Sequence, residues 1–218
     1  MPISLVENCD CMDFMKRFPD KFFELAIVDP PYGIGAGNIT VGGRGDKNKD
    51  GKEWDKSIPD DYYFIELRRV SNEQIIFGAN YFNCFSGNHG AIIWDKMQPL
   101  PDSSQCEIAS YSRLQKVGIY KQRWTNFVNT KQSEHPTEKP IGLYNWLLNN
   151  YAKPGDKILD THLGSGSSRI AAYKLGFDFY GCELDKDYFD AAEKRFKEAI
   201  AQPLFDNPPP NATQQKLL

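Results

Sequence analysis

The chain has no apolar run near the roughly 20 residues that a membrane-spanning helix needs, and no signal-peptide pattern at its start. Both absences lead us to expect a cytoplasmic protein without a membrane partner. Histidine is scarce, with three scattered residues, and cysteine is odd in number: Cys9, Cys11, Cys84, Cys106 and Cys182. Cys9 and Cys11 stand too close together for a zinc knuckle, so free thiols and no metal site are expected. There is no internal repeat, which excludes solenoids and propellers. There is also no strong excess of positive charge. The net charge of -3 excludes a uniformly basic surface, so any nucleic-acid contact has to come from a local patch. At 218 residues and 40% hydrophobic content, the chain can bury one core.

What is present alternates between strand and helix signals. Leu25-Ala26-Ile27-Val28 is a short apolar run that stops at Asp29-Pro30-Pro31-Tyr32, because neither proline has an N–H for a ladder. The spacing of Met12, Met15 and Phe18 predicts a helix over 10–18, and a second is expected around 60–70. Runs 74–78 and 91–95 are expected as buried strands. Helices are expected from Pro140 and after Gly166, with strands over 157–160 and 179–183 and a last helix carrying Phe189, Ala192, Phe196 and Ile200. This order predicts an α/β fold with a mostly parallel, doubly wound, Rossmann-like sheet. We take residues 1–202 as one domain, 36–56 as a mobile glycine-rich loop and 203–218 as a disordered tail.

Two stretches carry ligand chemistry. Strand, Gly164-Ser165-Gly166 turn, helix, strand, then Glu183 is a nucleotide-binding pattern, in which small residues admit a ligand to the backbone and the acid accepts from ribose hydroxyls. Glu183 follows Gly166 by 17 residues, but the third glycine of a dinucleotide fingerprint is absent, which weakens a nicotinamide reading. Residues 110–133 hold Arg113, Lys116, Lys121, Arg123 and Lys131 with no acid, interleaved with Tyr111, Tyr120, Trp124 and Phe127. Cations for phosphates beside rings for bases suit nucleic acid; two amphipathic edge strands would give the same alternation. Within the insertion 98–134, Arg113, Lys116, Lys121, Arg123 and Trp124 are the candidate DNA contacts.

Asp29-Pro30-Pro31-Tyr32 resembles the catalytic motif of the amino-methyltransferases, which move a methyl group from S-adenosylmethionine to an exocyclic base nitrogen. Asp160-Thr161-His162-Leu163-Gly164-Ser165-Gly166-Ser167 is similar to that family's cofactor motif, with Thr161 and His162 where proline and phenylalanine are common. His135-Pro136-Thr137-Glu138-Lys139-Pro140 and Asn8-Cys9-Asp10-Cys11 match two further motifs. The catalytic motif precedes the cofactor turn, an order that resembles the circularly permuted β class of DNA amino-methyltransferases on the class I methyltransferase fold.

The resemblance implies S-adenosylmethionine as cofactor and DNA as partner, with monomer or homodimer left open. It implies Asp29, Pro30, Pro31 and Tyr32 as catalytic. It further implies Asp10 and Cys11 near the adenine, and His135, Thr137, Lys139 and Pro140 beside the methionine part. Asp160, Leu163, Gly164, Ser165, Gly166, Ser167, Glu183 and Leu184 complete the implied cofactor cradle. Asp29 at the head of the tetrapeptide resembles the adenine-N6 enzymes, with cytosine-N4 as runner-up. A nicotinamide oxidoreductase and a silent nucleic-acid-binding module remain the readings from other classes.

Overall fold

The computed structural model describes residues 1–34, 55, 57–82, 84–85, 89–97, 104–113, 116–123 and 138–201. Apart from Asp55, the expected loop 36–56 lies outside the described residues, as does the tail 203–218.

The elements run β1 (Ser4–Asn8), α1 (Cys11–Met15), β2 (Phe23–Val28), α2 (Asp61–Val70), β3 (Ser71–Phe77), β4 (Gly90–Asp95), β5 (Cys106–Tyr111), β6 (Val117–Lys121), α3 (Ile141–Tyr151), β7 (Lys157–Asp160), α4 (Ser167–Leu175), β8 (Asp178–Glu183) and α5 (Lys186–Ala201). The strands form one eight-stranded sheet in the order β1-β8-β7-β2-β3-β5-β4-β6. Among the described strands only β5 runs against its neighbours, and the other pairings are parallel.

The apolar run at β2 is continuous because both its faces are covered. Leu25 and Ile27 join a core under α3 and α4 with Leu143, Leu147 and Ala171. Ala26 and Val28 turn the other way, onto Phe14 and Met15 of α1 and Phe64 and Leu67 of α2. Each of the larger side chains contributes about 1.5–3 kcal/mol of burial, so helices on both faces pin the register of β2.

Local chemistry sets the helix ends. Asp10 Oδ1 accepts from the Met12 N–H at 2.8 Å and caps α1; Asp60 Oδ1 accepts from the Tyr63 N–H at 3.0 Å and caps α2. Gly176, with φ of +82°, ends α4 in the left-handed conformation that favours glycine.

β1 is an addition to the sequence expectation. It is an edge strand whose Leu5, like Ile3 just before it, is half exposed, so its apolar pattern is weak. It nevertheless pairs with β8 and brings Asn8-Cys9-Asp10 level with Glu183. Among the described residues no helix is long and apolar enough to cross a membrane.

Candidate active site

β2 and β7 are parallel neighbours, with Leu25 opposite Ile158 and Ala26 opposite Leu159. From β2 the chain steps to β3 on one side; from β7 it steps to β8 on the other. The crevice beyond their carboxyl ends is therefore a topological switch point, the place where open α/β sheets bind ligands. Asp29 leaves one of these strands and the Asp160-to-Gly166 turn leaves the other.

Asp29 is about one-fifth exposed. Its Oδ1 accepts from the Tyr32 hydroxyl at 2.5 Å, and its Oδ2 accepts from the Lys139 ammonium. Burial raises the Asp29 carboxyl above its ordinary range, while the Lys139 charge opposes that rise. Burial would lower Lys139, but Asp29 and Glu107 outweigh it and keep the ammonium charged. Pro30 is buried and Pro31 half-buried.

Tyr32 stacks on Tyr81 with centroids 4.9 Å apart and planes 15° from parallel, and meets Phe82 edge-on. Gly78, at φ +70°, admits that ring. A Cβ there would lie 2.6 and 2.7 Å from Tyr32 Cδ1 and Cζ and closer still to Cε1, which puts it over the ring face.

On the other strand, Asp160 Oδ2 accepts from Ser168 Oγ at 2.6 Å and Oδ1 from the His162 N–H at 3.0 Å. Burial pushes its carboxyl up to about 7. His162 is pushed down to about 4 by burial and packs edge-on against Tyr63 at 5.3 Å, so it is neutral at pH 7. Thr161 Oγ1 bridges His162 Nδ1 and the Tyr63 hydroxyl, at 3.0 and 2.7 Å.

Gly164 and Gly166 have φ of +50° and +74°, conformations that suit glycine. Glu183 Oε2 accepts from the Gly164 N–H and Oε1 from the Asp185 N–H, each at 2.9 Å. These bonds hold the carboxylate at the turn with further lone pairs available. Leu163 is buried, Leu184 is exposed, and the Ser165 and Ser167 hydroxyls lie 3.2 Å apart. Cys11 is half-buried and its thiol is pushed up to about 12 by burial and by Asp10. Pro140 is the residue before α3.

The structure thus brings Asp29, Tyr32, Lys139 and the 160–167 turn to one end of the sheet, with Asp10 and Glu183 on the same edge. It divides the cations of residues 110–133. Arg113 is ion-paired with Glu73 at the start of β3, on the amino-terminal side of the sheet and away from Asp29. Lys116 precedes β6, whereas Lys121 closes its carboxyl end and Arg123 follows, both exposed. Two of the four rings are packing elements instead of free stacking surfaces. Tyr111 meets Tyr151 at 4.8 Å and Tyr120 meets Trp146 at 5.5 Å, both against α3. β6 is an edge strand, as that reading has it, whereas Tyr111 ends β5, an interior strand. His135, Thr137, Trp124, Phe127 and Lys131 lie outside the described residues.

Three site residues carried no signal in the sequence. Arg195 of α5 donates to the Ser165 carbonyl at 2.7 Å and to Ser167 Oγ at 2.9 Å, and pairs with Glu138, clasping the glycine turn to the segment before α3. Glu107 and Tyr81 come from regions far apart in sequence, and no local spacing marks them. Gly78 could have been noticed, since a glycine closing an apolar strand often marks a close approach.

Comparison with known proteins agrees with this geometry. Two solved structures share the fold. The complex of M1.HpyAVI with SAM has a TM-score of 0.57 at 20% identity, covering 88% of this chain and 98% of that one. The PvuII DNA methyltransferase, described as cytosine-N4-specific, has a TM-score of 0.59 at 12% identity, covering 92% and 93%. Among curated relatives, the type II methyltransferase M2.MboI of Moraxella bovis is 23% identical, over 87% of this chain and 86% of its own. The type II methyltransferase M.HinfI of Haemophilus influenzae is 25% identical, over 89% and 68%. The family model described as DNA methylase matches residues 79–194, which include the whole glycine turn and Glu183. That span exceeds half of the chain, and the chain belongs to this DNA methylase family, the N6 and N4 amino-methyltransferases.

Proposed function

We propose that this protein transfers a methyl group from S-adenosylmethionine to the exocyclic N6 of adenine in DNA, after the target base has been turned out of the duplex. One observation carries the reading: a carboxylate and an aromatic ring leave β2 directly beside the glycine turn that leaves β7. Residues 1–202 would form the catalytic unit, working in the cytoplasm.

The residues of the turn fit the cofactor. Glycines at positive φ bare the backbone, and Glu183 keeps acceptor capacity for ribose hydroxyls. Asp10 and Cys11 would hold the adenine, while Asp160, Leu163, Ser165, Ser167 and Leu184 shape the cradle. His135, Thr137, Lys139 and Pro140 would line the methionine side. When bound, S-adenosylmethionine supplies an electrophilic methyl on a sulfonium.

The chain's own part is to prepare the nitrogen. An exocyclic amine is a poor nucleophile because its lone pair is delocalised into the ring. Asp29 Oδ1 and the Pro30 carbonyl would accept its two N–H hydrogens and draw the nitrogen toward sp³ geometry. Both would also stabilise the positive charge that develops there. Oδ1 now accepts from the Tyr32 hydroxyl, and one N–H of the target amine would take over that bond. Tyr32 would stack on the base and offset part of the few kcal/mol that base flipping costs. Lys121 and Arg123 would meet phosphates.

Methylation-sensitive sequencing of DNA from cells expressing the protein tests this directly. N6-methyladenine in a defined sequence context is the expected result. N4-methylcytosine would move the assignment to cytosine, and no methylated base would sink it.

A further inference from the structure

Glu107 is the second residue of β5, opposite Trp94 of β4, and belongs to none of the motifs that mark the site. Its carboxylate lies between two ammonium groups: Lys96 at 2.8 Å from Oε1 and Lys139 at 3.0 Å from Oε2. Lys139 is 4% exposed, sits 4.7 Å from the centre of the Phe77 ring, and holds Asp29 Oδ2. Charges therefore alternate along Lys96, Glu107, Lys139 and Asp29, ending at the Tyr32 hydroxyl.

We propose that Glu107 is a positioning residue for methyl transfer, acting on Asp29 through Lys139; this rests on the function proposed above.

A lysine head on a four-carbon stem has three donors and no fixed plane. Besides Asp29 the ammonium meets the Tyr32 hydroxyl at a long 3.5 Å, which would hold it loosely. Glu107, itself anchored by Lys96, adds a fixed negative charge 3.0 Å from the ammonium, an ion pair and not an aligned hydrogen bond. Asp29 Oδ2 is thereby committed, and Oδ1 is left as the face for an incoming N–H.

The charge balance points the same way. Asp29 has to act as a carboxylate in a site where burial raises its pKa, and the Lys139 charge opposes that rise. Lys139 alone would cancel Asp29 just where positive charge develops on the target nitrogen. Glu107 restores the negative charge, and Lys96 closes the balance at the rim, where its side chain is 15% exposed. Burial opposes the charge on Glu107, but Lys139 and Lys96 together hold its carboxyl below the usual range.

An inert ion-pair network would share these distances, so the test needs a readout that structure alone does not move. Among the described residues, the charged or titratable groups around Asp29 are Lys139, Glu107 and Tyr32, with Tyr144 and Asp160 beyond them. Glu107→Gln in the full chain is expected to lower kcat roughly 10- to 100-fold, the scale of a small misplacement of reacting groups. Affinities for S-adenosylmethionine and duplex DNA should stay at wild-type values. The acid limb of the kcat/KM profile should move to lower pH, because the Glu107 charge raises Asp29. Lys139→Gln should move that limb to higher pH.

The double variant decides the route. If Glu107 acts through Lys139, Glu107→Gln adds no loss in a Lys139→Gln background. This comparison also stands if Glu107→Gln alone fails to fold, since removing both members of a buried pair is better tolerated than removing one. Wild-type kcat in folded Glu107→Gln, an unmoved acid limb, or a further loss in the double variant each overturns the inference. Wild-type protein that transfers no methyl group to DNA would instead fail the proposed function itself.

Discussion

Asp29 and Asp160 begin alike and end differently. Each closes an apolar run, each leaves the carboxyl end of a parallel strand, and the two strands are neighbours. Burial raises both carboxyls. Asp29, however, meets a buried ammonium and a hydroxyl, while the partners of Asp160 among the described residues are a serine hydroxyl and a backbone N–H. A cation keeps a carboxylate available as an acceptor; neutral donors in a dry site make it a fastener. The same sequence signature thus gives a reactive group or a structural one, according to which partner the fold delivers from over a hundred residues away.

Replacing the acceptor should have the largest effect. Asp29→Ala is expected to lower methyl transfer by several orders of magnitude, judged by the effect of removing single preorganised groups. Its circular dichroism should remain that of the wild type, since β2 is held by apolar burial on both faces. Near wild-type turnover in folded Asp29→Ala protein would remove Asp29 from the chemistry and erase its contrast with Asp160.

The cofactor side should respond in affinity more than in rate. Glu183→Ala is expected to weaken S-adenosylmethionine binding by roughly 1–3 kcal/mol, the scale of hydrogen bonds to a charged group. Titration calorimetry reads this, and unchanged affinity would leave Glu183 only as the anchor of the Gly164 N–H.

What could be read in the sequence follows from the range of the forces involved. Strand runs, helix periods and turn glycines are local, so the α/β order and the two strand-end acids were legible. Partners supplied across the sheet were not. Nothing near Lys139 in the sequence says that its ammonium lies between Asp29 and Glu107, and nothing near Arg195 says that it clasps the glycine turn. The rings of residues 110–133 were ambiguous for a related reason. A strand packed under a helix alternates polar and apolar residues just as a stacking surface does, and α3 is what shows that Tyr111 and Tyr120 are occupied.

The fastener role of Asp160 predicts a pH signature. Its carboxyl titrates near 3.9 in an unfolded chain and at about 7 in the fold, so the native state binds that proton more tightly. Its contribution to stability is therefore full below pH 4 and is lost as pH rises toward 7. Asparagine cannot ionise, yet it can still accept from His162 and donate to Ser168. Asp160→Asn should melt at the wild-type temperature near pH 4 and above it at pH 8, by about 2–4 °C per kcal/mol recovered. A difference that is constant with pH would mean that Asp160 does not titrate in this range.

The smallest effect separates the two ends of the sheet. Lys121 and Arg123 are exposed at the carboxyl end of β6, on the Asp29 side, whereas Arg113 is engaged by Glu73 on the amino-terminal side. If DNA lies across the strand ends that hold the site, neutralising Lys121 and Arg123 together leaves phosphates without their cations. It should then flatten the dependence of log Kd on log salt by about 0.9 for each phosphate no longer neutralised. Arg113→Ala also removes one positive charge but should leave that slope unchanged. Fluorescence anisotropy on a nonspecific duplex over a salt series measures both. An unchanged slope in the Lys121/Arg123 double variant would take the end of β6 off the DNA face, and a flattened slope in Arg113→Ala would put DNA on the opposite edge.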